Sequence, residues 1–198
     1  MFSVSDISKE KPVVLGIVTV AFAVIARFLT LHLPNVAPFE AMLIFGVFTF
    51  NRRWVGLALS LTSWWITDII INNTLYASYY EGFALITPTF LYASLAMLLI
   101  YLVVGKFQRI AVERKNQNGF YLMSSVVSPI IFFVVSNFGV WAAGHGMYPP
   151  TLGGLGMCYV NGLPFLTYGF ASTVLFSVLF GVMGYLFQGQ VVQASSKA

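Results

Sequence analysis

Charged side chains are scarce in this sequence of 198 residues, where Asp, Glu, Lys and Arg together make up only 8%. Ordinary soluble domains carry about a quarter, and a chain of this length needs that polar surface to stay in water. Disorder is excluded as well, because it requires low hydrophobicity, whereas 59% of these residues are hydrophobic. The mean hydropathy of +0.86 therefore indicates an integral membrane protein.

Cysteine is also scarce, and the net positive charge is small. The single cysteine, Cys158, excludes an internal disulfide and a metal site built from several cysteines. A net charge of only +4 gives no reason to expect nucleic acid as a partner. His145 has no second histidine or carboxylate at ligand spacing, so neither a metal nor another cofactor is expected. Without a recognisable catalytic motif, the chain is not expected to be an enzyme, and a membrane enzyme acting on a lipid-linked substrate is the least favoured interpretation.

Six apolar stretches predict an all-α fold with six transmembrane helices in one bundle, because a helix needs about 20 mostly apolar residues to cross a bilayer. The stretches are Pro12–Leu31, Phe39–Phe50, Trp54–Ile71, Phe83–Val104, Phe120–Ala142 and Leu163–Phe187. The second is short, and the Pro-containing segment Leu33–Pro38 before it is expected to be irregular. Residues 12–187 thus form the transmembrane domain, between an N-terminal segment 1–11 and a polar tail 188–198.

The basic residues predict the orientation of this domain. Nine of the ten fall in the terminal segments, the 51–53 turn and the 105–119 loop. The opposite loops, 32–38, 72–82 and 143–162, contain no Lys or Arg. By the positive-inside rule, both termini are expected in the cytoplasm. The membrane is expected to be the inner (cytoplasmic) membrane of the cell. The basic 105–119 loop is expected to lie next to membrane lipid.

Three ionisable side chains lie inside the predicted spans, namely Arg27, Glu40 and Asp68. Such residues are costly in a membrane and commonly serve function. At about 1.5 Å per helical residue, all three fall in the outer half of the bilayer. We expect Glu40 and Asp68 to anchor a small solute there, with Arg27 as their charge partner. Three asparagines are expected to hydrogen-bond the solute and four aromatic side chains to wall it: Asn35, Asn137, Asn161, Trp64, Trp141, Tyr148 and Tyr159.

Two structural alternatives remain open for this outer layer. Arg27 could form an ion pair with Glu40 or Asp68, leaving one negative charge that favours a cationic or hydrogen-bonding ligand. The tryptophans could instead serve core packing or lipid contact. The inner halves of the spans contain no Asp, Glu, Lys, Arg or His, which favours a pocket over a channel. The glycine-rich loop Ala143–Gly162 is expected to cover that pocket.

Several segments resemble a family of small bacterial membrane proteins of uncharacterised function, which is in turn similar to the substrate-binding S-components of energy-coupling-factor (ECF) vitamin transporters. The most specific segment is Ser136-Asn137-Phe138-Gly139-Val140-Trp141. The others run in order along most of the chain: Pro34–Ala41 with Phe45-Gly46, Asp68, Tyr148-Pro149 with Thr151, Gly154-Leu155, Cys158-Tyr159 and Pro164-Phe165.

This resemblance implies a six-helix transport subunit that binds a vitamin or related molecule near its outer face and docks on a transmembrane scaffold carrying two ATPase subunits. S-components usually present an alanine-x-x-x-alanine surface on the cytoplasmic half of the first helix. Here that half, Pro12–Val20, offers only Gly16 as a small residue. The alternative function is a structural or assembly subunit of a membrane complex with no ligand of its own.

Overall fold

The computed structural model describes the backbone of residues 11–144 and 146–195, and the side chains of residues 13–144 and 146–187. Residues 1–10, His145 and residues 196–198 lie outside the described residues, and with them most of the predicted N-terminal segment, the end of the predicted tail and the histidine at which no metal is expected. The described chain is helical throughout, with six α-helices joined by short links. They are α1 (Lys11–Leu29), α2 (Phe39–Thr49), α3 (Trp54–Thr74), α4 (Pro88–Glu113), α5 (Gln117–Ala142) and α6 (Leu152–Ser195), and a 3₁₀ turn (Ala77–Tyr79) follows α3.

Helix α2 occupies the centre of the bundle. Every residue of it except Glu40 is buried, as expected for a helix that is apolar all round. It packs against α3, α4, α5 and α6. At its crossing with α3, Gly46 and Gly56 face each other so closely that a methyl group on either would collide with the backbone of the partner helix. These glycines let a short central helix approach its neighbour.

The outer surface of the bundle is apolar. On α4, for example, Leu91, Leu95, Leu98 and Leu102 are all exposed at spacings of three or four residues, which places them along one face. Apolar side chains therefore cover both the inside and the outside of the bundle. Because water would not tolerate such a surface, the arrangement is that of a helical protein surrounded by lipid.

Four helices are long and apolar enough to cross a membrane: Trp54–Thr74, Pro88–Glu113, Gln117–Ala142 and the Leu152–Phe187 part of α6. The remaining apolar helices, Val13–Leu29 and Phe39–Thr49, are shorter. Six helices were predicted and six are found in the described chain. Their boundaries agree closely for α1, α2 and α5.

The predicted start of the fourth helix at Phe83 is wrong, since α4 begins at Pro88. Pro88 occupies the first turn, where its missing N–H group costs nothing. The side chain of Thr87 accepts a hydrogen bond from the backbone N–H of Phe90 (3.1 Å) and so caps the helix. Thr87-Pro88-Thr89 therefore marks the beginning of the helix.

The predicted loop Ala143–Gly162 is wrong over its second half, because α6 begins at Leu152. Glycines in this stretch disfavour a helix by propensity, but local contacts outweigh that. The hydroxyl of Thr151 accepts a hydrogen bond from the backbone N–H of Gly154 (3.1 Å), and Gly154 lies where a methyl group would collide with the Pro149 carbonyl. The covering loop is therefore only the short segment between Ala142 and Leu152. At its other end, α6 continues to Ser195, within the stretch predicted to be the polar tail.

Candidate functional site

A cavity of about 550 Å³ opens at one end of the bundle. Its lining comes from the ends of α1, α3 and α5 and the beginnings of α2, α4 and α6, so all six helices contribute. This volume is within the range of about 300–1,000 Å³ that is common for small-molecule sites. Below Glu40, the buried residues 41–49 of α2 fill the centre of the bundle, so the cavity has a packed apolar floor.

All three charged residues of the predicted outer layer line this cavity: Arg27 on α1, Glu40 on α2 and Asp68 on α3. Arg27 and Asp68 lie close enough to attract each other electrostatically. Within the described side chains, however, the ion pair that the sequence left open is not formed. The guanidinium of Arg27 instead donates a long hydrogen bond to the Val36 carbonyl (3.4 Å).

The two carboxylates have different surroundings. Asp68 accepts a hydrogen bond from the side-chain amide of Asn72 (3.2 Å), one turn later on α3. Glu40 accepts only a long hydrogen bond from the hydroxyl of Thr173 on α6 (3.4 Å). Both acids therefore have acceptor capacity left for a ligand that brings donors.

Aromatic rings form one wall of the cavity. Trp64 stacks on Phe39 with 5.3 Å between ring centroids, and Phe132 of α5 lies 5.6 Å from Trp64. Such spacings are those of favourable aromatic pairs. Since Asp68 follows Trp64 by one helical turn, this wall stands directly beside a carboxylate. Trp64 and Asp68 therefore share one face of α3.

The irregular link between α1 and α2 also contributes to the cavity, through Asn35 and Ala37. Asn35 adopts a positive φ of 54°, a conformation that asparagine tolerates better than most residues. Its amide reaches the Phe165 carbonyl (3.5 Å), while both backbone groups of Ala37 bond the Ser172 hydroxyl at 3.0 Å. These bonds give the N–H and C=O groups of Ala37 hydrogen-bond partners and hold the irregular link against α6.

Asn137, Tyr148 and Asn161 lie on the opposite side of the cavity. The amide of Asn137 donates to the Phe133 carbonyl (2.8 Å), which leaves its oxygen free of backbone partners. The Asn161 amide and the Tyr148 hydroxyl are 3.5 Å apart, so α6 and the covering loop meet there. Seven of the nine residues predicted to bind a solute therefore line one cavity: Asn35, Glu40, Trp64, Asp68, Asn137, Tyr148 and Asn161.

Trp141 and Tyr159 are not in the cavity lining. The indole N–H of Trp141 donates to the Pro149 carbonyl (3.0 Å), so this side chain holds the covering loop instead. Tyr159 donates its hydroxyl hydrogen to the Val134 carbonyl (2.9 Å). Because α6 already includes residue 159, Tyr159 lies about 200° around the helix from Asn161 and points elsewhere.

Several lining residues were not predicted as site residues, among them Tyr92, Phe132, Ser136, Cys158, Phe165 and Thr173. Among them, Cys158 is buried. Its position three residues before Asn161 would have placed it on the same face, had the helix start been known. For Thr173 no sequence signal exists, because hydroxyl residues are common in apolar helices.

Among the described residues, no three His, Cys, Asp or Glu side chains come together. The described lining of the cavity has two acidic side chains and one guanidinium. The cavity therefore offers hydrogen-bonding groups, one acidic side chain in excess and aromatic surface.

The fold and the cavity together define an all-helical protein whose surface fits a membrane and which has a solute-sized site at one end of the bundle. The chain belongs to the family of unknown function DUF6580, whose profile matches residues 7–195. No curated protein and no solved structure matches the chain.

Proposed function

We propose that the protein is an S-component-like membrane transport subunit that captures a small organic solute, a vitamin or a related molecule, near the outer face of the cell's inner membrane. The observation that carries this proposal is the cavity of about 550 Å³ lined by all six helices. It combines aromatic walls with a few polar groups, as ligand sites do. The residue pattern of the sequence supports the further likeness to S-components.

The proposed orientation has six spans, with both termini in the cytoplasm. Helix α2, with 11 residues, covers only about 16 Å, which is less than the hydrocarbon thickness of about 30 Å. The irregular link before it, bonded to Ser172, would complete the crossing inside the protein. The cavity then opens outward, on the side whose loops lack Lys and Arg.

Capture fits the cavity better than conduction does. A conducting path needs polar groups or water along its whole length. Beneath Glu40, the central helix contributes Met42, Leu43, Ile44 and Phe45, each at most 2% exposed. A solute bound above this floor would stay at the outer face until the protein moves or a partner opens it. This supports a binding subunit that works with a separate energised module.

The partner in this proposal is a transmembrane scaffold with two ATPase subunits. A groove of about 670 Å³ runs along the first half of α1, beside the turn into α3. Its α1 side includes Val13, Gly16, Ile17 and Val20. The usual pair of alanines is absent, but the face is apolar and concave, which supports helix packing in a membrane.

Native mass spectrometry of the gently purified protein tests the proposal. The expected result is a retained molecule of a few hundred daltons, with or without a co-purifying scaffold. A variant with a disturbed cavity, Asp68→Ala, should retain less of it, whereas Glu113→Gln, an exposed change at the far end of α4, should not. A stable complex with other membrane proteins and no retained molecule would contradict capture and favour the assembly-subunit alternative.

A further inference from the structure

We propose that the solute is a flat aromatic cation, bound with its positive charge at Glu40 and its ring along the wall formed by Trp64 and Phe132. This inference rests on the proposed function, because it names the chemical class that the same cavity would take. Three observations lead to it: the charge balance of the cavity, the uneven distribution of that charge, and the position of the aromatic rings.

The charge balance comes first. The cavity is lined by two carboxylates, Glu40 and Asp68, and one guanidinium, Arg27. Unpaired charge is costly away from water, and it is retained where a partner of opposite sign is supplied. Since the described lining contains one acidic side chain more than it has basic ones, a positively charged ligand would balance that acid and favour its ionised form. An anionic ligand would add to the excess of negative charge.

The charge is not shared evenly between the two acids. Arg27 and Asp68 attract each other, and Asp68 also accepts the amide hydrogen bond of Asn72 at 3.2 Å. Glu40 has no cation near it among the described residues, and its hydrogen bond from Thr173 is long at 3.4 Å. Glu40 is therefore the acid with the greater unmet acceptor capacity, and the ligand's positive end belongs there.

Glu40 also lines the same cavity as the aromatic wall. Its chain neighbour Phe39 stacks on Trp64 at 5.3 Å, and Trp64 is followed by Phe132 at 5.6 Å. A ring carrying delocalised positive charge gains from such a wall twice, through contact between flat surfaces and through attraction between the charge and the π-electrons. An aliphatic ammonium of equal charge would gain from the carboxylate and the π-electrons but would lack the contact between flat surfaces.

Three fragments of nearly equal shape test the charge: benzamidinium, benzamide and benzoate carry the same ring with a positive, a neutral and a negative group. Titrations of the purified full-length protein in detergent, followed by ligand-observed NMR with empty micelles as a blank, give their relative affinities. We expect benzamidinium to bind at least about tenfold more tightly than either of the others, a difference of about 1.4 kcal/mol. Cyclohexanecarboxamidinium, which has the charge without the aromatic ring, should bind more weakly than benzamidinium.

Two nearly isosteric variants locate the charge. Glu40→Gln should bring benzamidinium and benzamide to within about twofold of each other. Asp68→Asn should keep the preference for benzamidinium, even if all affinities fall, and the distant Glu113→Gln should change nothing. Equal binding of benzamide by the parent protein, or a preference that survives Glu40→Gln but not Asp68→Asn, would overturn the inference.

The proposed function and this inference can fail separately. If a molecule is retained in native mass spectrometry but is neutral, anionic or non-aromatic, the solute class is wrong while capture stands. If no fragment binds and no molecule is retained, both fail. If no fragment binds but a molecule is retained, the identity of that molecule decides. An aromatic cation would support the inference, and any other molecule would overturn it.

Discussion

Asn137 on α5 lines the cavity, and it provides a test at the scale of one residue. Its amide nitrogen donates to the Phe133 carbonyl at 2.8 Å, and its oxygen accepts a long, weak hydrogen bond from the Cys158 thiol at 3.9 Å, which leaves acceptor capacity for a ligand. Asn137→Ala removes that acceptor. Since one hydrogen bond contributes about 0.5–1.5 kcal/mol, retention of the co-purified molecule should fall by about twofold to twelvefold, measured by quantitative mass spectrometry.

The matched control for this change is on the same helix. Asn118→Ala replaces an exposed asparagine at the other end of α5 and should leave retention as it is. Both variants should unfold at temperatures close to that of the parent protein. Retention by Asn137→Ala equal to that of the parent would place the site elsewhere.

For single residues, much of the site was predictable because a charged or polar side chain is costly to bury in a membrane. Charges and amides are conspicuous in apolar spans, which is why Arg27, Glu40, Asp68 and Asn137 could be selected from the sequence alone. Their side chains meet in one cavity. The direction of an aromatic side chain was not predictable, because rings are equally common in cores, at lipid and in ligand sites. Trp141 bonds the covering loop for that reason, although it follows Asn137 by one turn.

At the scale of helices, the crossing of α2 and α3 depends on Gly46 and Gly56. A methyl group on either would meet the backbone of the other helix, and backbone cannot move aside as a flexible side chain can. Gly46→Ala should therefore lower the free energy of unfolding by about 1–3 kcal/mol, as overpacking does elsewhere. The measurement is thermal unfolding in one detergent, followed by tryptophan fluorescence.

Gly105→Ala serves as the comparison, since this α4 glycine has open space where a methyl group would lie. In a helix interior, alanine is favoured over glycine by about 1 kcal/mol, so this variant should be as stable as the parent or more so. A Gly46→Ala protein that unfolds at the parent's temperature would show that the two helices are farther apart than described.

The helices were easier to count than to delimit. Hydropathy detects the apolar part of a helix and misses its polar continuation, so α4 extends to Glu113 beyond the predicted Val104. The same reasoning placed the sixth span at Leu163, because the glycines before it are typical of loops. Only the packing of Gly154 on Pro149 and the Thr151 cap favour a helix there. Those contacts join residues whose pairing the sequence does not specify.

For the whole molecule, the decisive question is how many times the chain crosses the membrane. Four helices are long enough by themselves, whereas α2 reaches across only together with the irregular link that packs on α6. The proposed six spans would place the 30–38 link and the 75–87 link on the outer side, and the 50–53 turn in the cytoplasm. If α1 and α2 did not cross, His32 and Asn51 would face the same compartment.

Single cysteines in a Cys158→Ser background distinguish these arrangements in intact cells. His32, Asn51 and Tyr79 are all exposed, and none lines the cavity. A membrane-impermeant maleimide should label His32→Cys and Tyr79→Cys directly, and Asn51→Cys only after the membrane is permeabilised. The background variant should remain unlabelled in both conditions, because position 158 is the chain's sole cysteine.

The labelling pattern also decides whether the cavity can act in capture. His32 and Tyr79 belong to links at the end of the bundle where Arg27, Glu40 and Asp68 meet, so labelling of both from outside puts the mouth of the cavity in contact with external solutes. Labelling of Tyr79→Cys but not His32→Cys in intact cells would mean that α1 and α2 do not cross. Labelling of Asn51→Cys alone in intact cells would show that the orientation is the reverse of the proposed one. The cavity would then open to the cytoplasm, where an uptake protein could not collect its solute.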